Sequence, residues 1–167
     1  MAEGPRYHVP YRRRREGKTD YRKRLALLKS RKVRAVVRRS LSGMTIQMVD
    51  FGNIGDKVLT QASYRDLEKM GWKRSLKGTS ASYLTGLLAG KRAMESDIDE
   101  AVLDIGLNEP VRGSRVFATL KGLLDAGVEI PHGEGIFPAE DRIQGGSENE
   151  EKFQKDFEAM KTKILEM

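Results

Sequence analysis

The sequence predicts an α/β domain with two layers and a mixed sheet. An antiparallel three-strand meander is followed by a helix–strand–helix crossover. A basic N-terminal arm and helix precede this unit, and a C-terminal amphipathic helix follows it. Three observations predict this. Apolar and polar residues alternate with period two through residues 33–63, broken by short Gly/Asn/Ser turns. From about residue 80 the period lengthens to that of a helix. The apolar run AVLDIG (101–106) then precedes a second capped helical pattern, an order that closes as a right-handed parallel crossover.

The elements follow in order. Residues 1–18 contain Pro5, Pro10, Gly4, Gly17 and four consecutive arginines, with no helix or strand period; they read as an extended arm, ordered on binding. Thr19 caps a helix to about Lys32 whose stripe is Tyr21, Leu25 and Leu28. In VRAVVRRS (33–40), Val33, Ala35 and Val37 point one way, and Arg34, Val36 and Arg38 the other. Met44, Ile46 and Met48 share a face of the second strand, and KVLTQAS forms the third after Gly52-Asn53-Ile54-Gly55. Turns this short imply antiparallel neighbours.

A short helix over 64–72 ends at Gly71-Trp72. The next runs from Ser80 or Ser82 to about Met94, carrying Ala81, Leu84, Leu87 and Leu88 inward. Gly86 and Gly90 sit on one face of it at about 1 kcal/mol each in helix propensity, which close packing against a sheet would explain. Residues 101–106 read as a strand covered on both faces. Ser114 caps a helix bearing Phe117, Leu120 and Leu124 and ending at Gly127, and Val128–Ile130 reads as a last short strand. Residues 131–150 are irregular. Ser147 and Glu150 form a capping box for a tail helix with Phe153, Phe157, Met160 and Ile164 on one stripe. That stripe must meet the domain or another protein. The chain divides into an arm (1–18), an α/β domain (19–133) and an acidic extension with its helix (134–167).

Charge is concentrated at one end. Fifteen of the 31 Lys and Arg residues lie in the first 40 positions beside three acids, Glu3, Glu16 and Asp20, so that segment carries +12 and the remainder −5. A polyanion is the expected partner, because a phosphate backbone releases condensed counterions for each cation bound. The arginine run is flanked by Tyr7, Tyr11 and Tyr21, which add stacking platforms to bidentate phosphate grips. RNA suits this pattern better than DNA, since no helix-turn-helix or zinc-finger pattern is present and the basic region is an arm beside a strand showing Arg34, Arg38 and Gln47. A polybasic membrane patch is the competing reading, weakened because Val9 is the arm's only large aliphatic residue.

The chemistry of an enzyme is sparse. There is no cysteine, and with only His8 and His132 a zinc site is not expected. No apolar run reaches the ~18–20 residues of a membrane span, and no apolar stretch follows the basic start as in a secretory signal. No Walker loop, dinucleotide fingerprint, nucleophile elbow or zincin motif occurs. Asp50 and Asp104 could hold Mg²⁺ for a nuclease if they shared a site, but Asp97, Asp99 and Glu100 read as a solvated turn and Asp50 as a strand end; Asp104 is harder to dismiss, because a carboxylate in a buried strand needs a partner. His132 reads as a hydrogen-bonded turn residue. Trp72 reads as a base-stacking platform or a partly buried anchor.

Four ordered blocks resemble one family. GPRYHVPYRRRREGKTDYRKRL, containing R-R-E-G-K-T-D-Y, is similar to the archaeal and eukaryotic branch of the universal large-subunit ribosomal protein that binds 5S ribosomal RNA. SYLTGLLAGKRA, EAVLDIGL and GSRVFATLKGLLDAGVEIPH are further family-like blocks, and the likeness covers roughly residues 4–133. Ser80-Ala81-Ser82 departs from the Pro or Ala frequent before the tyrosine in relatives. The tail beyond about Pro138 is much shorter than in eukaryotic relatives, which favours an archaeal source; no partner for the tail carries over.

The resemblance implies a structural, non-enzymatic role in translation, without cofactor or metal, in the cytoplasmic ribosome. It implies binding to 5S rRNA, help in seating that RNA at the central protuberance of the large subunit, and contact with large-subunit rRNA and neighbouring ribosomal proteins but no membrane. Carried over by position, Arg6, Tyr7, Arg12, Arg13, Arg14, Arg15, Lys18 and Tyr21 lie against RNA, with Arg22 and Arg24 on the first helix as additions. Arg34 and Arg38 join them through strand alternation.

Overall fold

A computed structural model describes residues 4–145 and 150–167. The sheet forms where the period-two alternation lies. Strands β1 (Val33–Arg39), β2 (Met44–Phe51), β3 (Asp56–Ser63) and β4 (Ala101–Asp104) stand in the order β3-β2-β1-β4. The meander pairs are antiparallel and β1–β4 is parallel, so the sheet is mixed as expected. Ala35 faces Met48 and Val37 faces Ile46 across β1–β2, and Ile46 faces Ala62 on β3. All five are buried on one side of the sheet. The opposite side carries Arg34, Arg38, Gln47 and Asp104.

Helices cover the apolar side. After α3 (Tyr64–Lys69), started by a Ser63/Asp66 capping box, come α4 (Thr79–Met94) and α5 (Arg115–Asp125). The α4 glycines serve a different neighbour from the one expected. A Cβ on Gly86 would collide with the Thr119 backbone, and one on Gly90 with Ala126 Cβ at 2.5 Å. A Cβ on Gly122 would meet Leu87 N at 2.7 Å. The bare backbones press helix on helix, α4 against α5, rather than helix on sheet. Both helices also carry buried leucines into the core, namely Leu84, Leu87, Leu88, Leu120 and Leu123.

Several expected boundaries move. The arm is not wholly extended, because residues Arg12–Arg15 make one helical turn, α1. Helix α2 spans Tyr21–Leu28 and is capped by Asp20, whose side chain accepts from the backbone N–H of Arg22 (2.9 Å) and Lys23 (3.2 Å), rather than by Thr19. Its stripe is shallow, with Leu25 58% exposed and no residue fully buried. Strand β4 is only half covered at Val102 and Leu103. The expected last strand shrinks to a single parallel bridge, Glu100 to Glu129, because Pro131 removes the next donor.

The tail closes the fold. Residues 131–150 are not the wholly irregular stretch expected, because Glu140–Gln144 form a short helix, α6, that buries Ile143. Helix α7 (Glu150–Leu165) lays its stripe on the domain itself. Phe157 packs by Tyr83 with ring centroids 5.7 Å apart, and Phe153 meets Trp72 edge-on at 5.8 Å. Met160 and Ile164 are also buried. Each buried side chain of this size is worth about 1.5–3 kcal/mol, against about 1 kcal/mol or less for an exposed ion pair such as Arg74–Asp156. The apolar stripe therefore decides the docking. The Ser147 cap expected for this helix lies outside the described residues.

Candidate nucleic-acid interface

The arm gathers its cations on an exposed turn. Arg12, Arg13, Arg14 and Arg15 are all exposed on α1, and Arg6, Tyr7 (45% exposed) and Tyr11 (75%) precede them. The turn is held from within. Arg13 Nε donates to Thr19 Oγ1 at 2.8 Å, and the Lys18 N–H donates to the Arg13 carbonyl at 2.8 Å. Lys18 and Arg12 both pair with Glu16, and these contacts, Lys18 first, hold its carboxyl below the ordinary range. Glu16 thus offsets part of the local charge, while no acid among the described residues pairs with Arg14 or Arg15. Tyr11 and Tyr21 pack with their rings tilted at 51° and centroids 5.3 Å apart, tying the turn to α2.

Helix α2 is anchored over the polar side of the sheet by charge. Arg24 donates two bonds to Asp56, 2.7 and 2.8 Å, at the start of β3. Arg34 Nη2 lies 2.8 Å from the same carboxylate, and Arg34 Nη1 donates to Asp104 at 3.1 Å. Arg38 donates through Nη2 to Asp104 Oδ1 (3.1 Å) and through Nη1 to the Asp104 carbonyl (2.8 Å). The result is a continuous chain, Arg24–Asp56–Arg34–Asp104–Arg38, joining α2, β3, β1 and β4. Burial alone would raise the Asp56 carboxyl, but the two guanidiniums outweigh it and hold it low.

This chain corrects one expectation directly. Arg34 is 2% exposed and engaged by two carboxylates, so it is an interior group and not an RNA contact. Alternation identified its face correctly, but α2 and Asp56 cover that face at its position. Arg24 is half-buried with both carboxylate oxygens of Asp56 in its grip, so its first role is to hold α2. Arg38 keeps its side chain 47% exposed and Arg22 stays exposed. Tyr21 is half-buried beside Tyr11.

Between α2 and the sheet lies a groove of about 790 Å³, with Arg13 and Lys18 at the arm end, Lys23 on α2, and Arg38 with Leu103 and Ile105 on the sheet side. Past Leu107 a second groove of about 540 Å³ opens at the carboxyl ends of β1 and β4, lined by Arg39, Arg115 and Arg142. None of these three arginines was singled out in the sequence. They lie far apart in the chain, and the crossover together with the return of α6 brings them to one groove.

The other candidates are structural. Asp104 has its partners in Arg34, Arg38 and the Gly106 N–H (2.9 Å). Asp50 lies exposed at the end of β2, out of register with Asp104, and no metal-holding cluster of His, Cys, Asp and Glu occurs among the described residues. Trp72 is 5% exposed, its Nε1 donating to the Ser75 carbonyl at 3.4 Å, so it is an anchor and not a base platform. The His132 ring Nδ1 lies 2.8 Å from the Ile130 carbonyl, as expected of a turn residue. No described helix is long and apolar enough to cross a membrane.

Residues 5–100 and 95–133 match the family described as ribosomal large subunit proteins 60S L5, and 50S L18. The chain is 52% identical over 145 residues to the large ribosomal subunit protein uL18 of Methanothermobacter thermautotrophicus, covering 87% of this chain and 76% of that one. The protein of the same name from Aeropyrum pernix is 54% identical over 145 residues (86% and 68%), and that from Korarchaeum cryptofilum 53% (87% and 74%).

Proposed function

The chain belongs to the family of ribosomal large subunit proteins 60S L5 and 50S L18, and on that footing we propose that it binds 5S rRNA and helps attach it at the central protuberance of the large subunit. Its role is structural and its working chemistry is RNA binding. The arm (1–18) grips RNA, the α/β domain (19–133) aims it, and the extension (134–167) stabilises that domain.

The observation that carries this reading is the exposed arginine turn Arg12–Arg15, tied by Tyr11–Tyr21 to a helix that is itself anchored on the sheet. A preordered cationic turn loses less freedom on binding than a free tail. In this reading Arg6, Tyr7, Arg12, Arg13, Arg14, Arg15, Lys18, Tyr21, Arg22 and Arg38 meet RNA, and Arg24 supports them from below. The basic surface continues past Leu107 to Arg39, Arg115 and Arg142, which supports contact with large-subunit rRNA as well. The exposed remainder of the domain is available to neighbouring ribosomal proteins.

The test is the affinity of the full chain for 5S rRNA across a salt series. Each phosphate-contacting arginine adds about 0.7–0.9 to the slope of log K against log salt. Replacing Arg12, Arg13, Arg14 and Arg15 with Gln should lower both affinity and slope and leave the melting temperature unchanged. An unchanged slope would refute the arm's role, and wild-type protein that shows no preference for 5S rRNA over an unrelated RNA would refute the assignment.

A further inference from the structure

We propose that the groove between α2 and the polar side of the sheet seats one unstacked nucleobase of the bound RNA, with the flanking phosphates on its cationic rim. The proposal rests on the RNA-binding reading above and names what this part of the surface takes.

The groove has the size and the division of chemistry such a ligand needs. Its volume, about 790 Å³, falls within the roughly 300–1,000 Å³ of sites that enclose small ligands. The apolar part of its lining comes from Tyr21, Ala26 and Leu27 on α2 and from Leu107 beyond β4, while Leu103 and Ile105 border it with their side chains packed toward the core. The rim carries Arg13, Lys18 and Lys23. An apolar platform beside a cationic track is how unpaired strands are held, because every base has a π-face and every step a phosphate.

Two further features favour a flat, electron-rich occupant. The Arg38 guanidinium is fixed before any ligand arrives, by the carbonyls of Val37 (2.9 Å) and Asp104 (2.8 Å) and by the Asp104 carboxylate (3.1 Å). A planar cation held in this way can stack on a base without further loss of side-chain freedom. Beside it, a Cβ on Gly106 would stand 3.0 Å from Arg38 Cζ, and the residue adopts a φ of +63°, so glycine keeps that space open.

The acids in the groove do not repel phosphate as free carboxylates would. Asp104 accepts from Arg34, Arg38 and the Gly106 N–H, Asp56 from Arg24, and Asp20 from the first N–H groups of α2. An acidic protein segment is the competing occupant. The groove opens directly onto the arginine turn through Arg13 and Lys18, and that continuity favours RNA.

The test fills the groove from either wall while leaving the rim cations and the ion-pair chain in place. Ala26→Trp on α2 and Leu107→Trp opposite both start from exposed residues, and thermal melting checks that each variant folds. Binding of the full chain to 5S rRNA is measured over a salt series, and base accessibility is probed with dimethyl sulfate. We expect affinity to fall about 5- to 100-fold, the cost of losing one stacked base. The salt slope should stay near the wild-type value. One loop base protected by the wild-type protein should become reactive in the variants. Wild-type affinity and protection in both variants would overturn the proposal. So would the loss of a ribosomal protein neighbour with RNA binding intact, since the groove would then belong to that protein. Failure of the wild-type chain to bind 5S rRNA is a separate outcome that removes the RNA reading itself.

Discussion

Arg34 Nη1 lies 3.1 Å from Asp104 Oδ2 across the parallel β1–β4 pair, with side-chain exposures of 2% and 8%. This is a buried ion pair on the sheet face turned toward α2. It is only partly satisfied, since Arg34 Nε has no hydrogen-bond partner. Such a pair is costly to break from one side, because the survivor stays desolvated.

Arg34→Met should therefore lower stability by about 3–5 kcal/mol, read by urea denaturation. Because Arg34 is interior, the salt slope of RNA binding should not change under conditions where the variant is folded. A lowered slope would mean that Arg34 reaches phosphate.

Asp56 makes the fold acid-sensitive in a defined direction. Its folded carboxyl titrates below the ordinary value of 3.8, so the unfolded chain binds the proton more readily. The stabilisation is complete above that ordinary value and is lost as pH falls through the lower folded one. Denaturation midpoints of the wild type should fall over this acidic window, and Asp56→Asn should flatten that part of the curve while lowering stability at neutral pH.

The α4–α5 contact allows no side chain at its closest points. Gly86→Ala should destabilise by about 1–3 kcal/mol or more, because the new Cβ meets the Thr119 backbone, which cannot move independently of its helix. Gly122→Ala should behave likewise. Gly133→Ala, in open space, is the control and should leave the melting temperature unchanged.

The tail helix should report its docking through Phe157. Phe157→Ala should cost about 3–5 kcal/mol, the usual range for a buried phenylalanine. Phe153→Ala should cost less, since Phe153 is only half-buried against Trp72. Trp72 fluorescence should change in the Phe153 variant, because the two rings meet edge-on.

Much of this architecture is legible in the residues. Alternation over 33–63 locates the meander and the apolar side of the sheet, since Ala35, Val37, Ile46 and Met48 all lie at the expected parity and are buried. The tail stripe was readable for the same reason, because periodicity records which residues share a face. Periodicity does not record what covers a face. Arg34 and Arg38 alternate alike, yet one is sealed beneath α2 and the other is 47% exposed. Gly86 packs on α5 and not on the sheet, because small residues announce a close approach but not its partner. The single turns at Arg12–Arg15 and Glu140–Gln144 are too short to show a period. The Arg39, Arg115 and Arg142 group needs tertiary structure to exist at all.

Temperature acts unequally on the two sides of this sheet. Ion hydration becomes less favourable on warming, so the penalty for burying Arg34 and Asp104, and for partly covering Arg24, Asp56 and Arg38, shrinks as the leucine-rich opposite side stops gaining strength. The charged seam beneath the first long helix thus becomes a larger share of what holds the molecule together as the surroundings grow hotter.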